Sequence, residues 1–116
     1  MRTSIKQGDI YTSDLGTMEG HEQRGFRPVL IMQNNILNIH LNTIIIAPLT
    51  SNLSTKDALT TYFLPKTSHQ LQKDSVILLH QIRGIDKTRL RKKIARIGDK
   101  EFAHIRKQLS LIFWNI

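Results

Sequence analysis

Up to residue 98, apolar side chains come in short runs rich in β-branched residues, and each run is stopped by turn-forming residues. Val, Ile and Thr fit a pleated, half-buried surface better than a helix. No helical pattern of a dozen residues separates one run from the next, so parallel βαβ units are excluded. Residues 9–15 alternate weakly and read as a first strand. Pro28 opens an apolar strand over 29–34, where a missing N–H costs least. Residues 43–50 form a buried strand, 59–64 an edge strand ended by Pro65, 74–83 an apolar strand with a polar tip, and 92–97 a last strand with Ile94 and Ala95 inward. Between them, the three glycines of residues 16–27 suit a surface loop, Asn34, Asn35 and Asn38 suit a turn, and 51–57 suit a polar loop. Asp86 suits the cap of a single helical turn.

At Asp99 the period changes. Phe102, Ile105, Leu109, Ile112 and Phe113 share one face of a 3.6-residue repeat that Asp99 can cap. The expected fold is mainly β with α. It is a small β-barrel of five or six short strands with a C-terminal helix packed on it, as a single domain over 1–116. Phe63, Phe102 and Phe113 are the expected core aromatics. The apolar chain end around Ile112, Phe113, Trp114 and Ile116 either closes the core or makes a subunit contact.

Charge narrows the partners. The chain of 116 residues carries a formal net charge of +8. Residues 1–58 hold five basic and five acidic side chains, so the whole excess lies in residues 59–116, densest from Lys87 to Arg96. Such a field attracts polyanions: nucleic acid first, an acidic protein second, with a merely solvated basic face as the alternative. Cysteine is absent, which excludes disulfides and thiolate chemistry. The histidines and nine acidic residues show no metal-ligand spacing, and the glycines no nucleotide-loop spacing. No cofactor is expected. A start without a signal-type apolar run, and no run of membrane-spanning length, make a soluble cytoplasmic protein the expectation.

Candidate chemistry sits beside the strands. Arg27 joins the glycine-containing loop to a buried strand, where its guanidinium can reach a phosphate with two donors or pair with a carboxylate. Arg24 is a second backbone contact. Thr50 and Ser51 end a strand, where a hydroxyl can donate to a phosphoryl oxygen or simply serve a turn. Ser75 is a similar candidate. His80 sits at the polar tip of its strand and can exchange protons near neutrality, or bond to backbone. Phe26 and Tyr11 can stack on bases. Asn34, Gln81 and Arg83 are candidate nucleic-acid contacts.

Three segments carry a family resemblance. They are Glu22-Gln23-Arg24-Gly25-Phe26-Arg27-Pro28-Val29, Ala47-Pro48-Leu49-Thr50, and Lys73-Asp74-Ser75-Val76 running on to Gln81-Ile82-Arg83. Over nearly its full length the chain resembles the MazF/PemK family, toxins of bacterial toxin–antitoxin systems. That resemblance implies an SH3-like barrel with a C-terminal helix, a homodimer, and a metal-independent endoribonuclease. Such an enzyme cuts single-stranded messenger RNA at short motifs, leaving 2′,3′-cyclic phosphate and 5′-hydroxyl ends. A cognate antitoxin with an acidic segment blocks the site. The resemblance places the catalytic arginine on Arg27 and the catalytic threonine on Thr50. Many members carry a glutamate just before the glutamine of Q-I-R, where this chain has His80. Alternatives are a non-catalytic toxin acting on a protein such as DNA gyrase, because the same barrel carries such toxins, or an RNA-binding module that no longer cuts.

Overall fold

The computed structural model describes residues 4–16, 25–69 and 71–114. Among them seven strands form one antiparallel sheet: β1 (Asp9–Asp14), β2 (Phe26–Ile31), β3 (Thr43–Thr50), β4 (Thr61–Leu64), β5 (Ser75–Leu78), β6 (Arg83–Asp86) and β7 (Leu90–Arg96). Three helices accompany them: α1 (Asn35–His40), α2 (Lys66–His69) and α3 (Asp99–Phe113). The strands run in the order β4-β5-β3-β2-β1-β7, with β6 also on β3. The outermost strands β4 and β7 do not pair, so the sheet is barrel-like and open rather than closed.

β3 is the hub. One edge pairs with β2, from Val29↔Pro48 to Ile31↔Ile46. The other edge takes two strands in turn: β5 at Leu49 and Thr50, then β6 from Ile46 back to Thr43. The apolar stretch 74–83, expected as one strand, is therefore two. Between Ile77↔Leu49 and Arg83↔Ile46 the chain uses three more residues than an unbroken ladder needs. They are taken up in a 3-10 turn over Leu79–Gln81, anchored where the Leu79 N–H donates to Thr60 O at 2.9 Å.

The central strands β1, β2 and β3 bury residues on both faces. Alternate residues go to a core under α3 (Ile10, Leu30, Ala47, Leu49, Ile77, Ile105) and to a second core (Tyr11, Val29, Ile31, Ile44, Ile46, Ile85). That explains the continuous apolar runs, since a strand with a single buried face would alternate. Tyr11, expected on the nucleic-acid face, is buried in the second core.

The Asn-rich stretch, expected as a turn, is the short helix α1. The Asn34 side chain caps it, accepting from the Leu37 N–H at 2.9 Å. Buried Gln33 and Asn38 bond to each other at 3.0 Å and to strand backbone, so the amides that suggest a turn satisfy buried polar groups instead. Asp86 caps its 3-10 turn as expected. The α3 cap position falls on Gly98, one residue before Asp99, which lies in the first turn with Glu101 and opposes the helix dipole there. Phe102 and Ile105 are buried, but Phe113, expected in the core, is 56% exposed. No helix among the described residues is long and apolar enough to cross a membrane.

Candidate active site

Arg27 follows the residue where β2 begins. At the base of the 16–27 loop, the Gly25 N–H donates to Gly16 O and the Leu15 N–H to Gly25 O, each at 2.9 Å. Gly16 and Gly25 have φ of 71° and 81°, which side-chain-bearing residues rarely adopt. This closure delivers Phe26 and Arg27 onto the sheet at Asp14↔Phe26 and Ser13↔Arg27. The Arg27 guanidinium donates to Leu49 O at 3.4 Å, next to Thr50 at the end of β3. Partial burial lowers its pKa from the ordinary guanidinium value by desolvation, which still leaves it cationic near neutrality.

A cleft of about 550 Å³ opens here. Its polar wall is Thr12, Thr50, Ser51, Gln72 and Ser75, and its apolar wall is Phe26, Pro28, Leu49, Leu71 and Ile94. Two cations, Arg27 and Lys73, line it, and its described walls hold no carboxylate. Thr50 is 9% exposed, and its Oγ1 accepts from the Asn52 N–H at 3.1 Å. That bond leaves the hydroxyl proton available to an acceptor in the cleft. Phe26 is 64% exposed at the rim, a geometry that suits stacking.

Arg27, Thr50, Phe26, Ser51 and Ser75 thus share one cleft. Other sequence candidates lie elsewhere. Asn34 caps α1. Arg83 donates to Leu15 O at 3.2 Å and so braces the foot of the 16–27 loop. Gln81 and His80 belong to the 3-10 turn after β5, and His80 is exposed outside the cleft. The field of His80 contributes to Asp57, whose carboxyl is held below its usual range mainly by the Thr60 hydroxyl and then by the Thr60 and Leu59 N–H groups. Arg24 falls outside the described residues. No three His, Asp or Glu side chains converge as a metal site among the described residues.

Cleft residues that the sequence did not single out are Thr12, Leu71, Gln72 and Lys73, with Ile94 expected only as core. Thr12 is placed by β1–β7 pairing, its hydroxyl accepting from the Lys92 N–H at 3.1 Å. Residues 71–73 reach the cleft through a tertiary fold-back that no local pattern announces.

The family model of the PemK-like, MazF-like toxins of type II toxin–antitoxin systems matches residues 6–113. The chain belongs to this family. It is 37% identical over 107 residues to the endoribonuclease MazF of Staphylococcus saprophyticus, covering 92% of this chain and 89% of that protein. Its fold matches the crystal structure of MazF from Deinococcus radiodurans with a TM-score of 0.79, 24% identity and coverage of 97% and 100% of the two chains. A mycobacterial endoribonuclease in complex with its cognate antitoxin matches with a TM-score of 0.75, 20% identity and coverage of 98% and 100%.

Proposed function

We propose that this chain is an endoribonuclease toxin that cuts single-stranded RNA, messenger RNA above all, by attack of a 2′-hydroxyl on the adjacent phosphorus. The observation that carries the reading is the convergence of the Arg27 guanidinium and the Thr50 hydroxyl on one cleft. The S. saprophyticus relative named as an endoribonuclease supports it.

In the reaction the 2′-oxygen–phosphorus bond forms and the phosphorus–5′-oxygen bond breaks. The 2′-hydroxyl loses its proton and the departing 5′-oxygen gains one, leaving a 2′,3′-cyclic phosphate and a 5′-hydroxyl. The nucleophile is supplied by the substrate, so no metal-activated water is needed. Extra negative charge builds on the non-bridging oxygens in the transition state. Arg27, partly desolvated and held by a β-strand, meets that charge with paired donors, and Thr50 adds its hydroxyl. Low local dielectric strengthens both contacts. His80, outside the cleft, is left out of this scheme.

The same positive cleft suits an acidic antitoxin segment, which would compete with RNA. The exposed Phe113 and Trp114, 5.5 Å apart between ring centroids, leave the subunit-contact reading of the chain end in place and support a homodimer. The setting is the cytoplasm, where messenger RNA is found. The test is to incubate the purified protein with RNA in EDTA and determine the product ends by mass spectrometry. Cyclic phosphate ends are expected. Products with 3′-hydroxyl and 5′-phosphate ends, or intact RNA with DNA gyrase inhibited, would overturn the reading.

A further inference from the structure

The cleft is larger than one phosphate requires, since sites of about 300–1,000 Å³ hold whole small molecules. Its second cation lies on a segment with no role so far. β5 runs antiparallel to β3 with Val76 opposite Thr50. Ser75 therefore lies one step past Thr50, beside Ser51, and Lys73 two residues further out. We propose that Lys73 binds a phosphate flanking the one under attack, and that His69 is the positioning residue that holds the Lys73 segment on the cleft. This inference rests on the reading of the cleft as an RNA site.

Two observations carry it. Lys73 lines the cleft while exposed to solvent, and its backbone is fixed: Lys73 O accepts from Ser75 Oγ at 3.1 Å, and the Lys66 N–H donates to Asp74 Oδ1 at 2.9 Å, tying Lys66 to Asp74. Behind this strap, His69 is only 9% exposed and is used by no step above. Its Nδ1 lies 3.1 Å from Pro65 O, and its Nε2 lies 2.5 Å from Glu101 Oε1 on α3. Glu101 Oε2 in turn accepts from the Tyr62 hydroxyl on β4 at 3.0 Å. This partly buried polar chain, with Leu71 packed against the core below α3, holds the segment in place. Leu71 and Gln72, between His69 and Lys73, complete the strap's face on the cleft. The division of labour follows from side-chain chemistry. The fixed fork of Arg27 suits the geometry of the reacting phosphate, whereas an ammonium on a flexible stem follows a neighbouring phosphate wherever the RNA puts it.

The experiment measures binding of a 2′-deoxy oligonucleotide, which cannot be cut, against salt concentration, alongside KM and kcat on the matching RNA. Lys73→Gln should weaken binding and raise KM by about tenfold, with kcat nearly unchanged. The slope of log affinity against log salt should fall by about 0.7, the share of one single-strand phosphate contact. Lys73→Arg should restore both. His69→Gln should lose the same slope while remaining folded by circular dichroism, because the ammonium is then no longer held in place. An unchanged slope in Lys73→Gln overturns the proposal. A lowered melting temperature in His69→Gln with wild-type slope and KM overturns the positioning role. Wild-type protein that binds the oligonucleotide without cutting RNA would refute the endoribonuclease reading and still leave Lys73 judged by its slope.

Discussion

Two arginines, on the strands either side of β1, meet different surroundings. Arg96 on β7 lies across from Asp9 on β1 and donates to its Oδ1 at 2.9 Å, with Lys93 Nζ at 3.3 Å from the same oxygen. Asp9 is fully buried and also accepts from the Lys6 N–H at 3.0 Å. There the field of the cations is spent on a carboxylate of the fold itself. The cleft around Arg27 has no carboxylate on its described walls and adds a second cation, Lys73. The same side chain therefore sits in two settings: Arg96 stabilises a buried carboxylate, whereas Arg27 lines a cleft together with Lys73.

The largest effect that sharpens this contrast is in catalysis. Arg27→Ala should slow RNA cleavage on the order of 100-fold or more in a single-turnover assay, as expected for losing a transition-state donor. Asp9→Ala should instead cost about 3 kcal/mol in denaturant unfolding, because two charge-assisted contacts to a buried carboxylate are lost and the Lys6 N–H loses its acceptor. Cleavage per folded molecule should be unchanged.

A smaller effect concerns the lock behind the cleft. Burial, then the bond to Glu101, raises the Tyr62 pKa to about 12. A folded-state pKa above the unfolded value of about 10 means that the stabilisation is complete below pH 10 and fades as pH rises toward 12. Wild-type stability should therefore fall more steeply than that of Tyr62→Phe across that window in a thermal-melt series. The smallest effect is at His80. His80→Gln should give a pH–rate profile superimposable on the wild type between about pH 5.5 and 7.5, the range of an ordinary imidazole. A flattened profile would bring His80 into the chemistry.

β1, β2, β3 and the apolar face of α3 were legible because burial on two sheet faces, or along one helix stripe, writes a periodic pattern into the chain. The split of residues 74–83 was not legible. Leu78 and Leu79 look alike in sequence, and only the register against both ends of β3 reveals the intervening turn. That split puts His80 in the turn after β5, exposed and outside the cleft lining. Arg27 and Thr50 were visible because each sits where a buried run ends. Lys73 stood in the sequence only as part of a matching segment, because its place on the cleft depends on the pairing of β5 with β3. The Asn-rich segment misled for a local reason: the amides that favour turns also cap helices, and Asn34 does so here.

The most direct test of the account uses two oligonucleotides of one sequence, an all-RNA strand and one with a single 2′-deoxy nucleotide at the cut site, each incubated with the protein in EDTA. The all-RNA strand should be cut, and the substituted strand should bind with similar affinity and stay intact at that position. Cleavage of the substituted strand at the same bond, or a requirement for a divalent ion with the all-RNA strand, would contradict attack by the 2′-hydroxyl in the Arg27–Thr50 cleft.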